Sequence, residues 1–334
     1  MTDANRLTDR IRRGEAIPAP LALALSACTP LTRAGMWWRL RQPPTRVNAH
    51  VISYGNITAG GTGKTPAVIE RAQRELAEGH RVAVLTRGYG SSGPAEADSS
   101  AIPPSEQAKL LGDEAALLLQ KAPHAVVIKN ADRIAGANQA VAHHRCDVLL
   151  LDDGYQFTQL ARDENVLLID AANPFGIGAL IPRGILRESL TAMARATHIL
   201  LTRCDQAVDL DALTQTIHAH APDIPIRRTC HAPTTLRNLG DGQEEGLAML
   251  QGKRIAAACA IGHPESFFAT LESLGATVEK RLAYPDHAAI PPEALPREGI
   301  VVMTEKDAVR GAYSNDNAYA LGIALTDIDT LGAD

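Results

Sequence analysis

This chain has few aromatic residues and few cysteines, and it lacks the charge and repeat patterns that mark several classes of protein. Aromatic residues make up 4% of its 334 residues, and its five cysteines never occur in C-x-x-C spacing. Scattered cysteines in odd number are typical of a reducing compartment and provide no zinc-binding pattern. The net charge of −5 argues against a dedicated nucleic-acid-binding protein, so we expect no nucleic-acid partner. The sequence also lacks repeats and low-complexity tracts.

A glycine-rich stretch lies between a strand-like apolar run and a helix-compatible run. Residues 54–66 read Tyr-Gly-Asn-Ile-Thr-Ala-Gly-Gly-Thr-Gly-Lys-Thr-Pro, and a helix is predicted from Pro66 to Leu76. In a phosphate loop, backbone N–H groups and the helix dipole hold the anion, Lys64 reaches the β- and γ-phosphates, and Thr65 can bind Mg²⁺. The pattern is incomplete, because Thr58 stands where the full motif has glycine. The predicted nucleotide-binding residues are Thr58, Ala59, Gly60, Gly61, Thr62, Gly63, Lys64 and Thr65.

Charge is absent between Ala16 and Thr32, although residues 1–48 contain eight arginines and carry a net charge of +5. This apolar run is short and interrupted by prolines, which disfavours a transmembrane helix. A secretory signal is disfavoured because export would separate the nucleotide site from cytosolic ATP. Two alternatives remain open. The segment is either a plain helix packed on the core, or an interfacial element whose apolar side chains, with Trp37 and Trp38, enter the lipid headgroup region.

Short strand-like runs alternate with helical segments along the chain. The first series lies at 50–54, 81–86, 125–129, 148–151, 166–169 and 198–202, and the second at 224–229, 254–261, 277–282, 299–304 and 319–323. This alternation predicts an α/β fold with a P-loop NTPase-like, mostly parallel sheet flanked by helices, and a second, smaller α/β domain. We expect an N-terminal segment at 1–48, a phosphate-loop domain at 49–223 and the smaller domain at 224–334.

Three groups of charged or titratable residues are candidates for chemistry. Asp152 and Asp153 follow an apolar strand, which is where the Mg²⁺-binding acid belongs after a phosphate loop, although a strand that ends in a turn looks the same. Asp113 begins a helix, where spacing alone predicts capping. His287 follows the turn-forming Pro285-Asp286 and could act as a general base, but it is one of eleven histidines.

Other motifs have two interpretations. The stretch from Ile181 to Glu188 and the Arg87-Gly88-Tyr89-Gly90 motif could clamp phosphate or could be solvated charges on loops. The stretch from Thr202 to Asp205 faintly resembles the guanine-reading motif of GTPases, with arginine in place of lysine, and leaves GTP use open.

Taken together, the motifs resemble those of one family, the tetraacyldisaccharide 4′-kinases, which are the lipid A 4′-kinases of Gram-negative bacteria. The resemblance covers most of the chain. Its blocks are Gly55–Pro66, Thr86–Gly90, Gly112–Glu114, Asp132-Arg133, Leu151–Gln156, Pro182–Glu188, Gly262–Phe267, Asp286-His287 and Thr304–Asp307. The family's loop tends to begin with threonine or serine, so Thr58 fits this family.

The resemblance implies an enzyme that transfers the γ-phosphate of ATP, with Mg²⁺, to the 4′-hydroxyl of a tetraacylated glucosamine disaccharide 1-phosphate. The product would be lipid IV-A, made at the cytoplasmic face of the inner membrane. The expected partners are the lipid disaccharide and the inner-membrane surface, and we expect a monomer. A lipid acceptor also favours the interfacial interpretation of the N-terminal segment.

The resemblance also implies residue roles. Asp113 would orient His287, His287 would accept the hydroxyl proton, and Lys64 would stabilise charge on the γ-phosphoryl group. The expected metal ligands are Thr65, Asp152, Asp153 and Glu114. Further expected site residues are Arg187, Glu188 and Asp286. Because His287 and the phosphate loop fall in different predicted domains, we expect a closing movement to assemble the site.

Three departures from the family pattern lie beside site residues. Ala288 and Ala289 follow His287, Tyr155 replaces phenylalanine, and Ile185 replaces a frequent proline. They affect local packing, since none removes a reacting group. The main alternative function is a soluble P-loop kinase or GTPase that acts on a small metabolite or protein, and a third is a non-catalytic, nucleotide-gated scaffold.

Overall fold

The fold is described from a computed structural model, which covers residues 10–11, 15, 17–88, 91–262, 264–311, 313 and 315–328, with only the backbone at 31–33. The strands are β1 His50–Gly55, β2 Val82–Thr86, β3 Ala97–Asp98, β4 Val126–Lys129, β5 Val148–Leu151, β6 Glu164–Asp170, β7 His198–Thr202, β8 Ile226–Asn238, β9 Glu244–Glu245, β10 Arg254–Cys259, β11 Thr277–Ala283, β12 Ile300–Thr304 and β13 Ala318–Asp327. The helices are α1 Ala19–Leu40, α2 Lys64–Ala77, α3 Pro104–Leu111, α4 Asp113–Lys121, α5 Arg133–His144, α6 Leu210–His220, α7 Pro264–Ser273 and α8 Glu305–Ala308.

Residue proximity divides the chain into two compact units. The first contains residues 1–86, 132–230 and 325–334, and the second contains 87–131 and 231–324. The second unit therefore includes a stretch that the sequence-based ranges assigned to the phosphate-loop domain. The predicted domain bounds at 49–223 and 224–334 stay a prediction.

The first unit is built on parallel strands. β1 pairs with β5 and with β6, β5 pairs with β2, β6 pairs with β7, and β7 pairs with the start of β8. The continuous apolar runs of β1 and β5 are buried along their length, as expected for strands covered by helices on both faces. The predicted mostly parallel α/β fold is confirmed. β1 lies between β5 and β6, two strands from later in the chain. Parallel sheets of this kind bind ligands at the carboxyl end of such a strand.

An ion pair fixes the helix that follows the phosphate loop. Arg71 of α2 donates to both carboxylate oxygens of Glu164 at the start of β6, at 2.8 and 2.6 Å. Hydrogen bonding from Arg71, aided by His50 at 3.1 Å, lowers the pKa of Glu164 to about 2. The pair holds α2 against the sheet at the strand next to β1. The loop that enters α2 is thereby fixed from its helical side.

The second unit has its own core on both faces of a parallel sheet, in the order β11-β10-β12-β13. Alternate residues of β10 belong to two separate apolar clusters, as the two-residue period of a strand requires. Ile255 and Ala257 pack with Phe268 of α7, whereas Ala256 and Ala258 pack with Met303. This core supports the loops that follow β10, β11 and β12.

The N-terminal helix α1 is continuous over 22 residues with Pro30 inside it, so the expectation that prolines break this segment is wrong. Pro20 falls in the first turn, where a missing N–H costs little. Within the part of the chain that the structure describes, no helix combines the length and the hydropathy that a membrane span requires. None of the described α1 side chains is buried. Within the predicted N-terminal segment, residues 1–9, 12–14 and 16 lie outside the described residues.

We expect Glu164→Gln to destabilise the protein at neutral pH by up to about 1 kcal/mol, the size of a partly exposed ion pair. Because the folded state lowers the pKa of Glu164, its contribution is fully present above the ordinary value of 4.5 and is lost as the pH falls toward 2. Denaturant unfolding at pH 7 and pH 3 measures this difference. Glu279→Gln, which removes the exposed partner of Arg254, is the control and should leave stability unchanged. An equal loss from Glu164→Gln at both pH values would contradict the prediction.

Candidate active site

The phosphate loop connects the end of β1 to the start of α2. Gly60 and Gly63 have φ values of 128° and 76°, which glycine adopts without strain. Thr58 is instead paired with Leu186 in an antiparallel bridge, and it is not among the described residues with positive φ. Position 58 therefore does not need glycine, and this explains the departure from the general motif. The neighbouring amide of Ala59 donates to the Ile185 carbonyl at 2.7 Å.

The loop presents unused hydrogen-bond donors. Within the described chain, the backbone N–H groups of residues 60–63 donate to no protein acceptor. The Thr62 hydroxyl is buried and has no hydrogen-bond partner in that same part of the structure. A buried hydroxyl without a partner is costly, and an anion bound at the start of a helix would satisfy it together with the unused N–H groups. The loop therefore fits a phosphate group.

The carbonyl groups of the same loop are held by the end of β7. The Thr202 hydroxyl, which is fully buried, donates to the Thr62 carbonyl at 3.0 Å. Arg203, in the left-handed conformation with φ 54°, donates to the Gly61 carbonyl at 3.1 Å and pairs with Asp170 at the end of β6. Two successive carbonyls are thus fixed by two successive side chains. The resemblance of this stretch to a guanine-reading motif did not reveal this role.

Lys64 lies among polar side chains at the first position of α2. Its Nζ donates to Asn56 Oδ1 at 3.2 Å and lies 3.4 Å from Asp153 Oδ1. Arg187 Nη1 donates to both Asp153 oxygens, at 3.1 and 2.9 Å. Burial alone would raise the pKa of Asp153, but the charges of Lys64 and Arg187 outweigh it and lower that pKa below 3.8. Asp153 is therefore an anion held between two cations, and the structure brings together these three predicted residues.

Glu188 is buried and accepts hydrogen bonds from two side chains. Arg195 Nη2 donates to its two oxygens at 2.9 and 2.7 Å, and Gln156 Nε2 donates at 2.9 Å. The same Gln156 Nε2 also donates to the Asn56 carbonyl at 2.9 Å. Glu188 thus supports the start of the phosphate loop through Gln156. Asn56 and Gln156 lie in motifs of the resemblance, but sequence reasoning gave neither them nor Arg195 a role, and their contacts identify it.

The predicted metal ligands divide between the two units. Thr65, Asp152 and Asp153 belong to the first unit, and Glu114 belongs to the second. Asp152 directly follows β5, the strand paired with β1, as predicted, and its amide donates to the Leu85 carbonyl at 3.1 Å. Hydroxyl and carboxylate oxygens are the donors that Mg²⁺ prefers, so the residues of the first unit fit that ion in chemical type.

Asp113 and His287 lie together in the second unit. Asp113, the first residue of α4, is 7% exposed, and its Oδ2 is 3.2 Å from His287 Nδ1. His287 follows β11 and has a left-handed φ of 64°, which is uncommon for a side-chain-bearing residue and often marks a functional position. The side chain of His287 is 38% exposed, so it is accessible to solvent. The pairing predicted for these residues is therefore possible in the structure.

Two cations beside Asp113 escaped the sequence analysis. Arg310 Nε donates to Asp113 Oδ2 at 2.9 Å, and Lys306 Nζ lies 3.7 Å from the same oxygen. Burial alone would raise the pKa of Asp113, but Lys306 and Arg310 outweigh it and lower that pKa below 3.8. Asp113 is therefore a stable carboxylate. The sequence feature that could have indicated them is the motif Thr304-Glu-Lys-Asp307, which contains Lys306. The sequence analysis included this motif in the resemblance but assigned no role to its residues.

The remaining predicted residues lie near this pair. Glu114 Oε1 is 3.2 Å from Lys306 Nζ, and Asp286 Oδ1 is 3.8 Å from His287 Nε2. Tyr89, Gly90 and His263, which belong to the motifs of the resemblance, lie outside the described residues.

A family model described as tetraacyldisaccharide-1-P 4′-kinase (LpxK) matches residues 15–330. The tetraacyldisaccharide 4′-kinase of Anaeromyxobacter sp. (strain K) is 38% identical over 95% of this chain and 88% of its own length. The chain belongs to the tetraacyldisaccharide 4′-kinase family. The enzyme of Syntrophus aciditrophicus is 39% identical over 79% of this chain and 76% of its own length. A crystal structure of LpxK from Aquifex aeolicus in complex with ATP matches with a TM-score of 0.70 and 26% identity, covering 94% of this chain and 96% of that one.

One departure from the kinase family pattern has a clear packing solution. Tyr155, which replaces phenylalanine, is fully buried, and its hydroxyl donates to the Ala192 carbonyl at 2.6 Å. Arg195 lies over its ring, with 4.9 Å between the guanidinium carbon and the ring centroid. The extra hydroxyl is therefore satisfied, and the ring forms part of the support around Glu188.

We expect Thr202→Val to weaken nucleotide binding by roughly fivefold, because losing a hydrogen bond worth about 1 kcal/mol frees the Thr62 carbonyl to turn toward the anion. Titration with a fluorescent ATP analogue measures this change. The matched control is Thr229→Val, since Thr229 is equally buried but its hydroxyl donates to the Leu201 carbonyl at 2.7 Å and not to a carbonyl of the loop. If both variants bind nucleotide equally well, the carbonyl contact does not shape the site.

Proposed function

We propose that this protein transfers the γ-phosphate of ATP to the 4′-hydroxyl of tetraacyldisaccharide 1-phosphate, giving lipid IV-A. The observation that carries the proposal is the 3.2 Å approach of His287 Nδ1 to the Asp113 carboxylate, in a chain that also has a phosphate loop with Lys64. A hydroxyl acceptor needs a proton acceptor as well as phosphate binding, and this pair supplies one. Family membership favours the lipid acceptor over the small metabolite or protein of the alternative.

The first unit would bind and orient the nucleotide. The N–H groups of residues 60–63 would hold phosphate oxygens, and Lys64 would neutralise charge that develops on the γ-phosphoryl group. ATP as the donor is supported by the family relative crystallised with it. Arg187 would hold Asp153 beside Lys64, as their contacts suggest. Lys64 would then already be oriented when the nucleotide binds, so little reorganisation would be needed.

Mg²⁺, when bound, supplies positive charge that neutralises and orients the phosphates. Thr65, Asp152, Asp153 and Glu114 are the proposed ligands, either directly or through water. Asp153 already pairs with Lys64 and Arg187, so its carboxylate can contribute to an ion only by sharing its charge with those cations. Asp152 directly follows β5, the strand paired with β1, which is the position expected for the Mg²⁺-binding acid, so it is our first choice for a direct ligand.

The second unit would supply the base. Asp113 would stabilise the imidazolium that forms when His287 accepts the proton of the 4′-hydroxyl. Its lowered pKa keeps Asp113 charged at neutral pH, as this role requires. Asp286 would stabilise the same charge from the Nε2 side of the ring. A closing movement that brings His287 to the phosphate loop stays a prediction.

Purified protein, incubated with ATP, Mg²⁺ and detergent-dispersed tetraacyldisaccharide 1-phosphate, should add one phosphate to the lipid, detected by mass spectrometry. We expect His287→Ala to lower kcat by roughly 10²–10⁴-fold, the usual contribution of a general base. The control is His218→Ala, because His218 lies exposed on α6. The absence of phosphorylated lipid with the unaltered protein would refute the function. A near-normal rate for His287→Ala would refute only the assigned base.

We further propose that α1 places the enzyme on the cytoplasmic face of the bacterial inner membrane. Leu23, Trp37, Trp38 and Leu40 are 44–75% exposed, which is unusual for large apolar side chains on one helix. The guanidinium of Arg41 lies 3.6 Å from the centre of the Trp37 ring. Tryptophan rings and arginine together suit the headgroup region of anionic lipid. The alternative of a helix packed on the core is not supported by these exposures, and a monomeric state stays a prediction.

The double variant Trp37→Ser/Trp38→Ser should bind vesicles of phosphatidylglycerol and phosphatidylethanolamine at least tenfold more weakly, because it removes two interfacial anchors. Co-sedimentation measures the bound fraction. The control is Ile177→Ser/Val208→Ser, which removes exposed apolar residues outside α1. Equal binding by the two double variants would show that α1 is not the membrane contact.

A further inference from the structure

Arg310 contacts both members of the Asp113–His287 pair. Its Nε and Nη2 both donate to Asp113 Oδ2, the first at 2.9 Å. Its Nη2 also lies 3.4 Å from His287 Nδ1, the ring atom that faces Asp113. Three nitrogen atoms, two from Arg310 and one from His287, therefore surround a single carboxylate oxygen.

The same guanidinium is linked to the backbone of His287. Arg310 Nη1 donates to the Ala260 carbonyl at 3.1 Å, and this carbonyl also accepts the backbone N–H of His287 at 3.1 Å. The acceptor that fixes the left-handed backbone at His287 is therefore shared with Arg310. Movement of the guanidinium would disturb the carboxylate and the base together.

Arg310 is itself held rigidly. Nη1 donates to Asp307 Oδ1 at 2.5 Å, and Asp307 is 1% exposed. The other oxygen of Asp307 accepts from the Thr304 hydroxyl at 2.5 Å and from the Ala260 amide at 3.1 Å. A planar guanidinium bound along several edges has one orientation, which a lysine cannot reproduce. Thr304 and Asp307 of the Thr304-Glu-Lys-Asp307 motif thus hold the Arg310 guanidinium in a fixed orientation.

Lys306 is a second cation that could bind the Asp113 carboxylate in place of Arg310. It lies 3.7 Å from Asp113 Oδ2 but closer, at 3.2 Å, to Glu114. Without Arg310, the buried Asp113 carboxylate would lose its nearest cation, and rotation toward Lys306 would be its main compensation. Such a rotation changes the oxygen that faces His287. The geometry of the pair therefore depends on Arg310.

We propose that Arg310 is a positioning residue that holds Asp113 and His287 in the arrangement needed for proton transfer. The role rests on the proposed function, because it acts through the base of that reaction. We expect Arg310→Met to lower kcat by about 10²-fold, the cost of misplacing a catalytic group, with the KM for ATP unchanged. Arg310→Lys keeps the charge but loses the forked contacts, so it should recover only part of the rate.

A double-mutant cycle separates positioning from general damage. If Arg310 acts through His287, adding Arg310→Met to His287→Ala should change kcat by less than about threefold. If its effect is independent, the two losses multiply, and the proposal is overturned. Arg281→Met is the matched control, because Arg281 pairs with Glu265 and Glu272 in the same unit and contacts neither member of the pair. Arg281→Met should keep the normal kcat.

A second readout needs no acceptor. In ¹⁵N-histidine-labelled protein, the His287 ring signals, assigned by their loss in His287→Ala, should shift in Arg310→Met and Arg310→Lys but not in Arg281→Met. Unshifted His287 signals in a folded Arg310→Lys protein would overturn the proposal. If the unaltered protein phosphorylates no lipid, the proposed function fails, and the ring signals still decide the role of Arg310.

Discussion

The first unit depends on the orientation of a few peptide groups. A phosphate loop binds an anion only if its N–H groups point inward and its carbonyls point away, and an isolated glycine-rich loop has no preference between the two. Here Thr202 and Arg203 bind the carbonyls of Thr62 and Gly61 from the far side. Asp170 holds Arg203, so the ends of β6 and β7 determine the loop's orientation. The parallel sheet therefore acts on the nucleotide site through its strand ends.

In the second unit, side chains rather than peptide groups have to be held in a fixed orientation. A carboxylate buried as deeply as Asp113 is costly unless cations and hydrogen bonds compensate its charge. Arg310 and Lys306 provide that compensation, and Asp307 balances Arg310 in turn. The ion pairs that compensate the buried charge also fix the side chains that form them, because Asp307 orients Arg310 and Arg310 orients Asp113. A base beside such a carboxylate needs little reorganisation when a proton arrives.

The sequence predicts those parts of the structure whose cause is local. All eleven predicted strands are present, because buried parallel strands such as Val148–Leu151 leave continuous apolar runs. The two-residue strands β3 and β9 carry too little pattern to be recognised. Lys64 and Thr65 were predictable from the loop that contains them. Arg310 was not, because its partners lie 23 and 197 residues away and only the fold brings them together.

The requirements of phosphoryl transfer explain why, in both units, many residues serve to hold other residues in position. The reaction asks little covalent chemistry of the protein, so its rate depends on charge and placement. The residues proposed to touch the reacting groups are few, whereas those that hold them are many. Asn56, Gln156 and Glu188 support Lys64 and the phosphate loop, and Arg310 and Asp307 support the Asp113–His287 pair. A family resemblance identifies the first kind, since reacting groups stand in short motifs. Asn56, Gln156, Glu188 and Asp307 lie in the same motifs. A motif does not state which neighbour each of them holds, so their supporting roles are recognised only when contacts are traced in the structure.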